Sequence, residues 1–147
     1  MKKAIVTGGA GFIGSHIVDK LIEQGVEVIV LDDLSTGKKE NINSKAEFYE
    51  ISLLDLEENN FVGRDIDVVF HLAALARVQP SIDQPIPYHD ANVTGTHNLL
   101  VAASNAGVKR FVFSSSSSVY GDADVPTSED NKLNPISPYA LHKLIGE

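Results

Sequence analysis

The residues AIVTGGAGFIGSHIVDKLIEQGVEVIVLDD, Ala4 to Asp33, decide the fold. They open on a short β-branched run, Ala4–Thr7, and close on a longer one, Val26–Asp32. Between these runs Ile17, Leu21 and Ile22 keep helical spacing, and Gly25 stands where a helix C-terminus wants a left-handed residue. Strand, helix and strand in about thirty residues make a βαβ unit. Gly8, Gly11 and Gly14, spaced GxxGxxG, fall at the turn from strand to helix. Gly8 permits a tight turn, Gly11 lets the backbone approach a diphosphate, and Gly14 lets helix and strand close up, while unpaired N–H groups at the helix start face the anion. The spacing departs from the commoner GxGxxG, so position rather than pattern carries the reading. Asp32 ends the second strand and can accept both hydroxyls of an adenosine ribose. It would repel a 2′-phosphate, and the stretch LDDLSTGKK holds no arginine to receive one, only Lys38 and Lys39. A dinucleotide site that takes NAD rather than NADP is expected, with Asp33 beside Asp32.

Outward from this unit, three more apolar runs read as strands: Ala46–Ile51, Asp67–Ala73 and Arg110–Ser115. A helix is predicted from about Tyr88 to Asn105, with Val93, Leu99, Leu100 and Ala103 turned inward and Gly107 just past its end. Near-continuous apolar strands separated by helices predict an α/β fold, a doubly wound parallel sheet of Rossmann type covered on both faces. Leu34–Ser44 and Tyr120–Pro135 read as loops. The 147 residues suit one domain with a sizeable core. A net charge of −8, with no run of lysine or arginine, argues against nucleic acid or an anionic membrane as partner. Without cysteine there is no disulfide or thiolate metal site. His16, His71, His89, His97 and His142 show no HxH or HExxH spacing, so helix surfaces and strand ends are their expected places and no metal is expected. The N-terminal apolar run is too short for a signal sequence or a span, and a cytoplasmic chain is expected.

Five serines, Ser114–Ser118, follow the fifth strand and stand at the carboxyl end of a parallel sheet, where open α/β folds place ligands. Farther on, Ser137 and Pro138 read as the N-cap and first residue of a helix. Tyr139 and Lys143, four apart on that helix, share one face, so an ammonium can sit near the phenol and favour its ionised form.

Four motifs in order, TGGAGFIG at Thr7–Gly14, NVTGT at Asn92–Thr96, SSSSSVYG at Ser114–Gly121 and YxxxK at Tyr139–Lys143, resemble the extended short-chain dehydrogenase/reductase family. Within it the chain is similar to the NAD-dependent sugar-nucleotide epimerases of the UDP-glucose 4-epimerase type. The resemblance implies a catalytic set of Ser116, Tyr139 and Lys143: Ser116 hydrogen-bonds the sugar's C4 hydroxyl, Tyr139 takes its proton, and Lys143 holds the nicotinamide ribose and tunes Tyr139. It implies cofactor contacts from Gly8, Gly11, Phe12, Ile13, Gly14, Asp32 and Asp33, from Ser52 and Leu53 around the adenine, and from Ala73, Ala74, Leu75 and Asn92, with Tyr139 and Lys143 again. At the adenine Ser52 stands where the family usually has an aspartate. Ser117 and Ser118 replace the Asp-Glu pair with which related dehydratases remove water, so epimerisation is expected instead. A UDP-sugar substrate, NAD as the retained cofactor and a homodimeric full-length form are further implications. So is an incomplete NAD-binding domain at residues 1–147, cut after the fifth strand and the start of the next helix, with a substrate domain beyond it. A UDP-sugar reductase or decarboxylase and a non-catalytic NAD-binding module remain the alternatives.

Overall fold

The computed structural model describes Met1–Glu147 throughout. Strands β1 (Lys3–Thr7), β2 (Glu27–Asp32), β3 (Glu47–Glu50), β4 (Val68–His71) and β5 (Arg110–Phe113) form one all-parallel sheet in the order β3-β2-β1-β4-β5. Helix α1 (Phe12–Glu23) carries the chain from β1 to β2, and Gly25, at φ 77°, ends it as expected. Progress across the sheet reverses between β1 and β4. The crevice outside their carboxyl ends is the switch point at which such sheets bind ligands.

Period-two alternation sorts the strand residues onto two faces. Ile5, Ile29, Leu31 and Val69 meet Leu99, Ala102 and Ala103, together with Leu53, Leu56, Phe61 and Ile66 of the β3–β4 connection. Ala4, Val6, Val28, Val30 and Val68 meet Val18 and Leu21 of α1. Both faces are thereby dry, which is why the strands tolerate no polar alternation. At the edge, β3 is mostly exposed and β5 pairs only with β4.

Three features differ from the sequence expectations. A short helix, α2 (Val78–Asp83), lies in what periodicity leaves unassigned. The helix expected from Tyr88 starts at Pro85 and runs as α3 (Pro85–His89), a π-helical segment (Asp90–Thr94) and α4 (Gly95–Asn105). Its inward stripe is Asn92, Thr96, Leu99 and Ala103, while Leu100 is exposed, because two polar residues whose hydrogen bonds are met inside the protein take the core positions. Third, the serines do not prolong β5, which ends at Phe113; Ser117–Tyr120 coil into a 3-10 turn. Helix α5 (Pro138–Gly146) begins as expected, with the Ser137 hydroxyl accepting the Ala140 N–H at 3.1 Å and Pro138 in the first turn. No helix is long and apolar enough to cross a membrane.

Candidate active site

Two glycines are dictated by what surrounds them. Gly8 has φ 69°, and a Cβ there would lie 2.7 Å from the Ala73 nitrogen. A Cβ on Gly14 would lie 2.1 Å from the Gly8 carbonyl oxygen, so α1 rests directly on the loop. Gly11 is the N-cap of α1 and offers no side-chain oxygen to its first turn, leaving backbone N–H groups free for an anion. Phe12 and Ile13, the first helical residues, are exposed at 79% and 60% and line the same groove as Ala74 and Ser114.

Asp32 ends β2 and is buried. One carboxylate oxygen accepts the Ala10 N–H at 2.9 Å and the other the Leu34 N–H at 2.9 Å. Each keeps a second lone pair for a ribose hydroxyl. The residue therefore shapes the glycine loop as well as facing the cleft. Asp33 is exposed and closes its own turn by accepting the Ser35 N–H and hydroxyl. Asp32, Asp33, Ser52, Leu53, Gly8 and Ala73 line one continuous cleft. Ser52 caps a 3-10 turn, accepting the Leu54 N–H at 3.2 Å, and Leu53 reaches into the core beneath.

Asn92, expected among the cofactor contacts, is buried beside the Ala73–Leu75 segment. Its amide donates to the Leu75 carbonyl at 2.9 Å and accepts the Leu75 N–H at 2.8 Å, which fixes the Ala73–Leu75 segment and leaves one N–H and one lone pair for a ligand. Tyr139 and Lys143 share a face of α5 as predicted, with the Lys143 Nζ 6.0 Å from the Tyr139 ring centroid. The ammonium donates to the Ser114 carbonyl at 2.7 Å and lies 4.8 Å from the centre of the Phe113 ring. Burial pushes its pKa down from 10.5 to about 8. Ser116, half-buried, caps the 3-10 turn: its Oγ accepts the Ser118 N–H at 3.2 Å and donates to the Ser118 hydroxyl at 3.1 Å. Helix α5 packs on that turn, bringing the serine tract and the Tyr139/Lys143 face together. The Tyr139 N–H is held in turn by the Ser81 hydroxyl of α2 at 3.1 Å.

Sequence reasoning missed the hub of the site. His71, the last residue of β4, is 1% exposed. The Thr96 hydroxyl donates to the Asn92 carbonyl at 2.7 Å, which uses its only proton. His71 Nε2, 2.8 Å from the Thr96 hydroxyl oxygen, must then be the donor. His71 Nδ1 is left to accept the Thr7 hydroxyl at 2.7 Å, and the Thr7 oxygen accepts the Ala73 N–H at 3.2 Å. Every proton runs one way, and only the neutral Nε2–H tautomer fits. Burial, with the Lys143 charge as the smaller cause, drops the His71 pKa to about 3. Its ring also sits 5.6 Å from that of Phe113, the floor beneath Lys143. His142 is buried as well, contrary to a helix-surface position, with its Nδ1 unpartnered and its ring edge-on to His89 at 5.3 Å. Of this network the sequence offers one signal: a histidine closing an otherwise apolar strand.

Residues 4–147 match the model of the NAD dependent epimerase/dehydratase family. UDP-glucose 4-epimerase of Lactobacillus helveticus is 45% identical over 148 residues, covering 99% of this chain and 45% of that protein. The Thermotoga maritima UDP-glucose 4-epimerase, solved with UDP-glucose, superposes with a TM-score of 0.90 at 46% identity, covering 98% of this chain and 48% of the other. UDP-N-acetylglucosamine 4-epimerase of Methanobrevibacter ruminantium, solved with UDP-N-acetylmuramic acid, gives 0.92 at 42% identity, covering 99% and 48%. The chain thus spans about half the length of the curated relatives it matches.

Proposed function

The chain belongs to the NAD dependent epimerase/dehydratase family, and from that premise we propose that it is the cofactor half of a sugar-nucleotide 4-epimerase acting on UDP-hexoses or UDP-N-acetylhexosamines. The observation that carries the reading is Lys143. An ammonium buried with no carboxylate beside it, held by the Ser114 carbonyl between the Phe113 and Tyr139 rings, is costly to keep. Its place four residues after Tyr139 gives it a chemical role.

The donor set fits a dinucleotide. Free N–H groups at the start of α1 would receive the diphosphate, Asp32 the adenosine ribose, and Ser52 and Leu53 the adenine. Bound there, NAD supplies an acceptor and donor of hydride for carbon 4 of the sugar. Tyr139 holds the proton of the C4 hydroxyl, and Ser116 orients that hydroxyl by a hydrogen bond. Lys143 keeps the phenolate stable and binds the nicotinamide ribose. Asn92 fixes the Ala73–Leu75 wall through its clasp on Leu75. The relatives include enzymes named for UDP-glucose and for UDP-N-acetylglucosamine, which supports the substrate class and leaves both sugars in the proposal. In this reading the other half of the relatives' length supplies further contacts to the nucleotide sugar.

The test uses a form extended to that length. Interconversion of UDP-glucose with UDP-galactose, and of the N-acetyl pair, is followed by chromatography. Tyr139→Phe should abolish it while NAD affinity, measured by calorimetry, stays within about threefold, since a single hydroxyl is lost. Near-wild-type turnover by the Phe variant would assign the base elsewhere.

A further inference from the structure

Arg77 has φ 104° and ψ 132°, a backbone conformation outside the left-handed helical well where Leu34 and Asp65 sit at φ 57° and 53°. Side chains rarely tolerate it, and such residues persist only where the surroundings impose them. Here the surroundings do. On one side Asn92 clasps Leu75 and the Tyr88 hydroxyl donates to the Ala76 carbonyl at 3.0 Å. On the other the Ser81 hydroxyl donates to the Val78 carbonyl at 2.6 Å and receives the Tyr139 N–H. Residue 77 is pinned between the wall of the cofactor cleft and the helix that braces Tyr139.

Its side chain is unemployed. Lys3, Lys20, Lys38, Lys39 and Arg64 pair with carboxylates and Lys143 bonds to Ser114, whereas the exposed Arg77 guanidinium makes no ion pair or hydrogen bond. The other free cations are Lys2, Lys45, Lys109 and Arg110, all at the amino ends of strands, and Lys132 in the Tyr120–Pro135 loop. At the carboxyl end of the sheet, on a segment fixed by partly buried hydrogen bonds, Arg77 is thus the available cation of a chain with net charge −8.

We infer that Arg77 is a specificity residue that binds the diphosphate of the nucleotide-sugar substrate. The inference rests on the function proposed above, which puts the sugar between Ser116 and Tyr139. A diphosphate is the one charge every such substrate carries. The dinucleotide's own diphosphate belongs to the glycine loop across the groove lined by Ala74 and Ser114. A guanidinium fork matches phosphate oxygens two at a time, and a cation at the mouth offsets the repulsion a dianion meets from this acidic chain.

Three variants of the extended form test it: Arg77→Gln, Arg77→Lys, and Arg77→Gly, which also relieves the strained backbone. With Gln and Gly the KM for UDP-sugar should rise about 10- to 100-fold, the range for a charged hydrogen bond, with kcat within about twofold and Lys intermediate. Inhibition by UDP should weaken by the same factor and inhibition by uridine should not change. The Gly variant should melt at a higher temperature than wild type, which separates a ligand role from a structural one. Unchanged UDP inhibition in both Gln and Gly variants, while wild type turns over UDP-sugars, would overturn the assignment and leave the epimerase reading intact. So would a loss of NAD affinity in place of UDP affinity, which would move Arg77 onto the dinucleotide. A wild type that binds neither UDP nor UDP-sugar would overturn the epimerase reading and Arg77's role with it.

Discussion

Acid should destabilise this protein through His71. In an unfolded chain its imidazole takes a proton near pH 6.5, whereas in the folded protein burial and the Lys143 charge delay that step to about 3. Above pH 6.5 both states hold the same number of protons and the group contributes no pH dependence. Between 6.5 and 3 only the unfolded state is protonated, so stability falls as pH falls, by about 1.36 kcal/mol per pH unit. At pH 4.5 the loss from this one side chain is about 2.7 kcal/mol, a large part of a typical total of about 5–15. The perturbation is His71→Gln, which cannot titrate. It loses hydrogen bonds at every pH, so the informative quantity is the slope of stability against pH rather than its level.

Urea unfolding followed by circular dichroism at pH 8, 6.5, 5.5 and 4.5 supplies that slope. Between pH 6.5 and 4.5 wild type should lose about 2.7 kcal/mol more than the variant. His142, whose pKa burial and His89 lower, and Glu47 and Asp67, held low by hydrogen bonds, titrate in both proteins and cancel. Nitrogen NMR of folded wild type gives an independent reading, with one imidazole fixed as the Nε2–H tautomer from pH 8 to 5. Parallel slopes, or a folded-state His71 that titrates near 6.5, would refute the one-way proton chain from Ala73 to Asn92.

Gly14→Ala puts a methyl 2.1 Å from the Gly8 carbonyl, so the loop must shift; NAD affinity by calorimetry should drop at least about tenfold and stability by about 1–3 kcal/mol. Wild type should bind NAD more tightly than NADP, and Asp32→Ala should lose that preference together with the Ala10 and Leu34 N–H bonds, seen as weaker NAD binding and a lower melting temperature. Lys143 has a folded-state pKa of about 8 against 10.5, so the unfolded chain holds the extra proton between those values and stability should rise with pH across them, while turnover that needs the ammonium should fall. Lys143→Met should therefore melt at a higher temperature by thermal unfolding and, in the extended form, be inactive by epimerase assay.

The unit from β1 to β2 was legible because its constraints are local. A strand running into a glycine turn with φ above zero, a helix laid on that turn and a carboxylate at the next strand end leave few other residue types possible. The long helix was legible as an element and misleading as a surface. A search for apolar stripes selects Val93 and Leu100, whereas the buried positions are Asn92 and Thr96, polar residues admitted to the core by partners at Leu75 and His71. Helix α2 escaped because its identity depends on a serine holding Tyr139, 58 positions away. The place of Asp32 at a strand end suggests a ribose ligand; that it also orders the glycine loop depends on a contact with Ala10, 22 residues earlier in the chain.

His71 and Lys143 explain each other, and neither could be read alone. A protonated imidazole beside the Phe113 ring would oppose the ammonium on that ring's other contact, so a charged Lys143 requires a neutral His71, and the Thr7 and Thr96 hydroxyls hold it so. The same hydroxyls anchor Ala73 and Asn92, which set the Ala73–Leu75 wall of the cleft and, through Leu75, the strained turn at Arg77. Lys143 in turn takes the Ser114 carbonyl, and the Ser114 N–H bonds the His71 backbone carbonyl, just before the chain enters the serine turn bearing Ser116. Charge at Lys143 and order at the Ala73–Leu75 wall of the cleft are thus coupled through one buried imidazole. A substitution at Thr7 or Thr96 should accordingly act on both together, even though neither side chain is among those lining the cleft.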